Sequence, residues 1–165
     1  MTRAGDVRIR PGTVADVPAM QALGTRAWRA TYEGILTPDA IERGIAEFWN
    51  EYSLGAAARS GRMLVAERAG ALVGLLESDT MADGRPVLWK LYVAPEAQRG
   101  DVGRALLDAH LGRLRADGAT ELWLEHYEGN AAAESFCERA GFERRGVEDS
   151  AVSPGARIMW WVRRV

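Results

Sequence analysis

The segment Leu91-Tyr92-Val93-Ala94-Pro95-Glu96-Ala97-Gln98-Arg99-Gly100-Asp101-Val102-Gly103-Arg104-Ala105-Leu106-Leu107 holds the densest chemical signal of the chain. An apolar strand ends, a glycine-containing loop follows, and a helix begins. The first amides of such a helix lack intrahelical partners, and its dipole adds about half a positive charge at the same point. Strand, loop and helix N-terminus together make an anion site, above all for a phosphate or pyrophosphate. The loop is neither a nucleotide P-loop, since no Gly-Lys-Ser/Thr follows, nor a G-x-G-x-x-G dinucleotide fingerprint. On its own it also reads as an ordinary strand-to-helix turn that needs glycine.

Groups able to move a proton lie further on. Glu125 and His126 occupy opposite faces of the apolar stretch Glu121–Tyr127, and a neutral imidazole suits base work near neutral pH. Glu77 and Glu33 stand behind them as bases. Tyr127, Tyr92 and Ser135 carry hydroxyls. His110 falls mid-helix and reads as a surface residue. A strand histidine such as His126 can equally be a hydrogen-bonded structural residue.

Composition narrows the class. The chain has 165 residues, 47% apolar and 27% charged, with a formal net charge of −2. That fits one globular domain over 1–165 with a substantial core. The mildly acidic balance argues against a nucleic-acid partner, whose footprint is usually strongly basic. One cysteine excludes an internal disulfide and a multi-cysteine zinc site, and two histidines do not make a His-rich metal centre. Nothing in Met1 to Arg10 reads as a signal peptide. No stretch reaches the roughly 18 apolar residues of a membrane span. The expectation is a cytoplasmic protein without a membrane partner. The only lysine, Lys90, stands among many arginines and reads as coding bias.

The elements that must position these residues follow from period and punctuation. Val7 to Arg10 alternates and stops at Pro11-Gly12, a first strand. Thr13 and Asp16 resemble a capping box for a helix running to about Tyr32. Pro38 opens a second helix ending near Gly55. Two apolar runs, Met63–Glu67 and Ala71–Leu76, are split by Ala69-Gly70 as a hairpin, and Val87–Val93 adds a third strand. A helix with Gly103, Leu107, Leu111 and Leu114 at helical spacing and Gly118 just past its end, then a strand over Glu121–Tyr127, come next. Asn130 caps a helix closed by Gly141. Strands around Phe142–Val147 and Arg157–Val162 flank a Pro154-Gly155 turn. The strand–helix–strand unit requires a parallel, right-handed crossover, and the hairpins require antiparallel pairing. A mixed α/β sheet with helices on its faces follows.

The loop segment resembles motif A of the GNAT superfamily, the Gcn5-related N-acetyltransferases, whose signature is Gln/Arg-x-x-Gly-x-Gly/Ala. Gln98 and Gly103 match its first and last fixed positions. Asn130-Ala131-Ala132-Ala133-Glu134-Ser135-Phe136-Cys137-Glu138-Arg139-Ala140-Gly141-Phe142 resembles the family's N-x-x-A-x-x-F-Y-E-K-x-G-F motif. Ile9-Arg10-Pro11 and Trp28-Arg29-Ala30-Thr31-Tyr32 look like the family's opening, so the likeness spans essentially the whole chain.

The resemblance implies an α/β (α+β) GNAT fold: a mixed, mostly antiparallel sheet of about seven strands flanked by four helices. It implies an acetyl-CoA-dependent N-acetyltransferase, with no metal, whose acceptor is a primary amine of a small molecule or peptide that attacks the thioester directly. The fourth and fifth strands splay, and the pantetheine arm lies between them. Leu91, Tyr92 and Val93 offer it backbone groups, and Asn130 bonds it. The pyrophosphate sits on the amides of Gln98, Arg99, Gly100, Asp101, Val102, Gly103 and Arg104. Ala133 and Phe136 complete the cofactor-binding set.

Three positions depart from the family pattern. Asp101 replaces the middle glycine of motif A. As an N-cap it adds about 1 kcal/mol, whereas a carboxylate roughly 4 Å from a phosphate costs about 1–4 kcal/mol unless it turns to solvent or pairs with Arg99 or Arg104. Cys137 stands where the family has its general-acid tyrosine. It is either a thiol acid or a small core residue, in which case Tyr127, Tyr92, Ser135 or a water serves as acid. Val87 occupies the place of a frequent glutamate, which leaves Glu125 and His126 as candidate bases. These departures also admit an alternative: a catalytically impaired CoA-binding sensor or protein-interaction module. Trp28, Tyr32, Trp89 and Trp123 are suited to line an acceptor pocket or to fill the core. Trp160-Trp161 sends one indole to each side of the last strand, and a homodimer is one way to cover the outer one.

Overall fold

The computed structural model describes residues 6–98 and 100–165. Its strands are β1 (Arg8–Pro11), β2 (Met63–Arg68), β3 (Ala71–Thr80), β4 (Pro86–Val93), β5 (Glu121–Tyr127), β6 (Glu143–Asp149) and β7 (Arg157–Arg164). Its helices are α1 (Val17–Tyr32), α2 (Pro38–Phe48), α3 (Glu51–Arg59), α4 (Val102–Ala116) and α5 (Ala131–Arg139). The strands form one sheet in the order β1-β2-β3-β4-β5-β7-β6. Neighbours are antiparallel except β4 and β5, which α4 connects as the crossover the sequence required.

Five helices replace the four expected, because the segment after Pro38 is broken at Asn50. The Asn50 Nδ2 donates to the carbonyls of Ala46 and Glu47 at 2.9 and 3.0 Å, closing α2. Its Oδ1 accepts from the Ser53 N–H at 2.8 Å as the N-cap of α3. A short amide side chain competes with helical bonding in this way. Asp16 accepts from the Thr13 N–H at 2.8 Å, so the expected capping interaction closes a 3₁₀ turn just ahead of α1.

Helices cover both faces of the sheet. On one face Gly74 lies under α4, where a Cβ would meet Val102 at 2.9 Å and Leu106 at 3.1 Å. On the other, the Tyr92 ring packs on Trp28 of α1 and on Trp49. Gly24 lets Trp49 lie against α1, since a Cβ there would sit 1.9 Å from the indole. Both faces bury aliphatic side chains such as Met20, Leu75, Leu76, Leu107 and Leu122.

His110 corrects the sequence reading. His110 is not on the surface: it shares the buried stripe of α4 with Leu106, Leu107, Leu111 and Leu114. Both ring nitrogens lack a protein partner, and burial beside Arg113 pulls its pKa down to about 4. Lys90 is half-buried. It pairs with the buried Glu77, which Arg62 also approaches, and its ammonium lies 5.3 Å from the Trp49 ring centre. That pairing also withdraws Glu77 from the candidate bases.

The sheet opens at its centre. β4 and β5 pair only at Val87–Trp123 and Leu88–Leu124. One residue on, β4 bulges: Leu88 faces Ser78 and Lys90 faces Glu77, which leaves Trp89 as the extra residue. A bulge bends its strand and re-aims the side chain, and β4 parts from β5 at this point.

Candidate active site

The split between β4 and β5 widens into a cleft of about 880 Å³. The N-termini of α4 and α5 both open onto it. Leu91, Tyr92 and Val93 line it from β4, whose edge toward β5 is unpaired beyond Leu88. Gln98 spans the loop, its Nε2 donating to the Val93 carbonyl at 3.2 Å. Gly100, Gly103 and Arg104 line the far end. At Gly103 a Cβ would meet only Phe136 at 3.6 Å and Val93 at 3.7 Å, so the missing side chain leaves open cleft over the helix terminus.

Asp101 is the N-cap residue of α4, yet its side chain makes no capping bond, so the expected capping gain is absent. It is exposed and lies outside the cleft lining. Arg104 pairs with Asp108 at 3.0 Å rather than with Asp101. Val102 is wholly buried against Gly74 and can offer a ligand only its backbone. Arg99, expected in the same set, lies outside the described residues. Across the cleft, Asn130 caps α5, its Oδ1 accepting from the Ala133 N–H at 3.1 Å. Asn130, Ala133 and Phe136 all line the space.

The proton-moving candidates separate sharply. Glu125 projects into the cleft, and burial, aided by the charge of Glu148, raises its carboxyl to about 7. A base poised there is efficient at neutral pH. His126 also lines the cleft, but both of its ring nitrogens are taken. Its Nε2 accepts from the Trp161 indole N–H at 2.8 Å, and its Nδ1–H donates to the Tyr127 carbonyl at 2.8 Å. No lone pair remains, and burial lowers its pKa. Tyr127 is likewise removed from the chemistry: its hydroxyl bonds Ser153 at 3.1 Å and it does not line the cleft. Cys137 lines the cleft wall but is 1% exposed, and burial pushes its thiol up to about 12.

Of the acceptor-pocket aromatics, Tyr32 and Trp89 line the cleft. Trp28 does not. It is core, its indole donating to the Ile41 carbonyl at 3.1 Å and its ring against Gly44 of α2. The Tyr92 hydroxyl meets that of Tyr32 at 3.4 Å, and burial raises both phenols above their ordinary range. Glu33 is exposed and outside the lining. Glu148, which tunes Glu125, carried no signal in the sequence. It comes near because β6 lies beside β7, the neighbour of β5, and pairing through Ile158 puts Glu148 on the same face as Tyr127 and Glu125. Among the described residues, no group of three or more His, Cys, Asp or Glu is placed to hold a metal ion. No helix among them is long and apolar enough to cross a membrane.

A seven-stranded sheet split between two parallel strands, with a glycine-lined helix N-terminus at the split, defines an acetyltransferase-type cleft. The chain belongs to the acetyltransferase (GNAT) family, whose model matches residues 22–142, and is an acetyltransferase. It is 28% identical over 149 residues to the Mycobacterium tuberculosis protein named Probable N-acetyltransferase Rv2775, covering 87% of this chain and 84% of that one. It is 28% identical over 150 residues to a spermidine N(1)-acetyltransferase of Thermoplasma acidophilum, covering 87% and 91%. The fold matches the crystal structure of PaiA N-acetyltransferase from Thermoplasma acidophilum in complex with coenzyme A. The TM-score is 0.84 at 23% identity, over 97% of this chain and 99% of that one.

Proposed function

We propose that the protein transfers the acetyl group of acetyl-CoA to a primary amine of a small molecule or peptide by direct attack, in the cytoplasm. The observation that carries this reading is the placement of Glu125 in the same cleft as the α4 N-terminus. One end suits a phosphorylated carrier and the other holds a base with a pKa of about 7.

The residues present fit CoA. Gly100, Gly103 and Arg104 line the cleft at a helix N-terminus, where an anion is favoured. The unpaired edge of Leu91–Val93 can bond an amide-containing arm as a further strand would. Asn130, Ala133 and Phe136 form the opposite wall. Acetyl-CoA supplies an activated acetyl thioester. Glu125 takes the proton from the incoming ammonium, freeing the nitrogen lone pair for attack. As the amide forms, that nitrogen sheds a second proton, which balances the departing thiol. Cys137 is then dispensable: donation from a group near 12 to a thiolate of ordinary pKa is uphill by about 5 kcal/mol. Asp101 sits off the cleft lining, which removes a main motive for the non-catalytic alternative.

Calorimetric titration with acetyl-CoA, followed by thiol release with a panel of amines, tests the reading. Saturable micromolar binding and amine-dependent thiol release are expected. No binding at near-millimolar acetyl-CoA would overturn it.

A further inference from the structure

On the sheet face that carries Glu125, three indoles converge from three strands. Trp89 comes from the β4 bulge, Trp123 from β5 and Trp160 from β7. Trp160 meets both others edge to face, with ring centres 6.3 Å from Trp89 and 6.2 Å from Trp123. Two of the indole N–H groups point at carboxylates: Trp160 donates to Glu148 at 2.9 Å and Trp123 to Glu121 at 2.8 Å. Trp89 is 37% exposed and lines the cleft beside Glu125. The patch is thus aromatic, acidic and continuous with the reaction space.

The face already holds one cation of the chain itself. The Arg85 guanidinium, paired with Asp83, lies 4.2 Å from the Trp123 ring centre. No intramolecular cation–π contact is made to Trp89 or Trp160 among the described residues. Arg144 packs over Trp161, on the other side of β7. Indole faces next to carboxylates favour an organic cation that sheds part of its water.

We propose that Trp89, Trp160 and Glu148 form a second-cation subsite, so that the acceptor carries a further ammonium or guanidinium group besides the amine that Glu125 deprotonates. This rests on the acetyl-transfer reading above. Glu125 and Glu148 stand two strands apart in the order β5-β7-β6. Glu125 aligns through Trp160 with Gly146, two residues from Glu148, so two spacings of ~4.8 Å and two residues of ~3.4 Å put the backbones about 12 Å apart, a span for the two nitrogens of an extended diamine and their hydrogen bonds rather than for one charge.

The test compares 1,5-diaminopentane with pentylamine as acceptors at pH 8.5, where Glu125 is ionised whether or not Glu148 is present. The diamine is expected to have at least tenfold higher kcat/KM. Glu148→Gln, which keeps an acceptor for the Trp160 N–H, and Trp160→Leu are each expected to cut that ratio toward one through KM. Equal kcat/KM for the two amines in the wild type, or a ratio neither variant moves, would overturn the subsite while leaving acetyl transfer standing. Tryptophan quenching by 1,5-diaminopentane without acetyl-CoA separates the two readings from the other side. Saturable quenching lost in Glu148→Gln, with no transfer to any amine, would uphold the subsite and sink the transferase reading. A dimer by light scattering that Trp160→Leu dissociates would assign the patch to a second copy and overturn the proposal.

Discussion

The Trp161 indole N–H donates to Nε2 of His126 at 2.8 Å, joining residues 35 apart in sequence across the β5–β7 ladder. That bond fixes the neutral Nδ1–H tautomer and consumes the only lone pair a base could use. His126→Phe should therefore leave the pH dependence of catalysis in place. It should lower stability by about 1–3 kcal/mol, because the Trp161 N–H and the Tyr127 carbonyl lose buried partners. Urea unfolding and a pH–rate profile measured on the same preparation check both halves.

The pH profile itself belongs to Glu125. Burial and Glu148 raise its carboxyl to about 7, and the base must be ionised to work. kcat/KM should rise with pH through an inflection near 7 and level off above it. Glu125→Gln should reduce kcat/KM roughly 10²-fold or more and remove the inflection. Glu148→Gln, measured with a monoamine, should shift the inflection to lower pH, since one repelling charge is gone. An inflection that stays put in Glu148→Gln would mean that burial alone sets the value.

At the loop, the prediction turns on where side chains point. Gly103→Glu has room for its Cβ, and a carboxylate near a helix N-terminus is favourable to the helix. The fold should survive, with a melting temperature within a few degrees of wild type. The carboxylate would occupy the phosphate end of the cleft, so calorimetry should show acetyl-CoA binding lost. Asp101→Ala removes neither a capping bond nor a cleft-lining group. Its stability should stay within about 0.5 kcal/mol and its acetyl-CoA affinity within threefold.

Local patterns carried the element order and the α4 loop, because period, caps and glycine punctuation act over a few residues. What sequence could not show was mostly non-local. Trp28 and Tyr32 lie one helical turn apart on α1, yet only Tyr32 reaches the cleft, since α2 places Gly44 over the Trp28 indole. Glu148 reaches the site region through β7, which pairs with β5 on one side and β6 on the other. Trp161 disqualifies His126 from another strand. The break at Asn50 was legible in principle, since asparagine is a favoured N-cap residue and an acidic residue, Glu51, follows it in the first turn. The helical spacing of Ile41, Ile45 and Phe48 masked it. His110 was legible too: it sits four residues from both Leu106 and Leu114, on the buried stripe.

His110 also gives the fold an acid-sensitive point. Its folded pKa, about 4, is depressed below the ordinary 6.5 because burial and Arg113 disfavour the imidazolium. Above pH 6.5 both folded and unfolded chains hold it neutral and it contributes no pH dependence. As pH falls from 6.5 toward 4 the unfolded chain takes up a proton that the folded chain refuses. Stability should fall over that window by about 3 kcal/mol from this group alone. His110→Leu keeps the apolar stripe continuous and removes two ring nitrogens that have no partner. The difference in unfolding free energy between His110→Leu and wild type should grow as pH is lowered from 7.5 to 4.5. A difference that stays constant across that range would mean the imidazole is protonated in the folded protein.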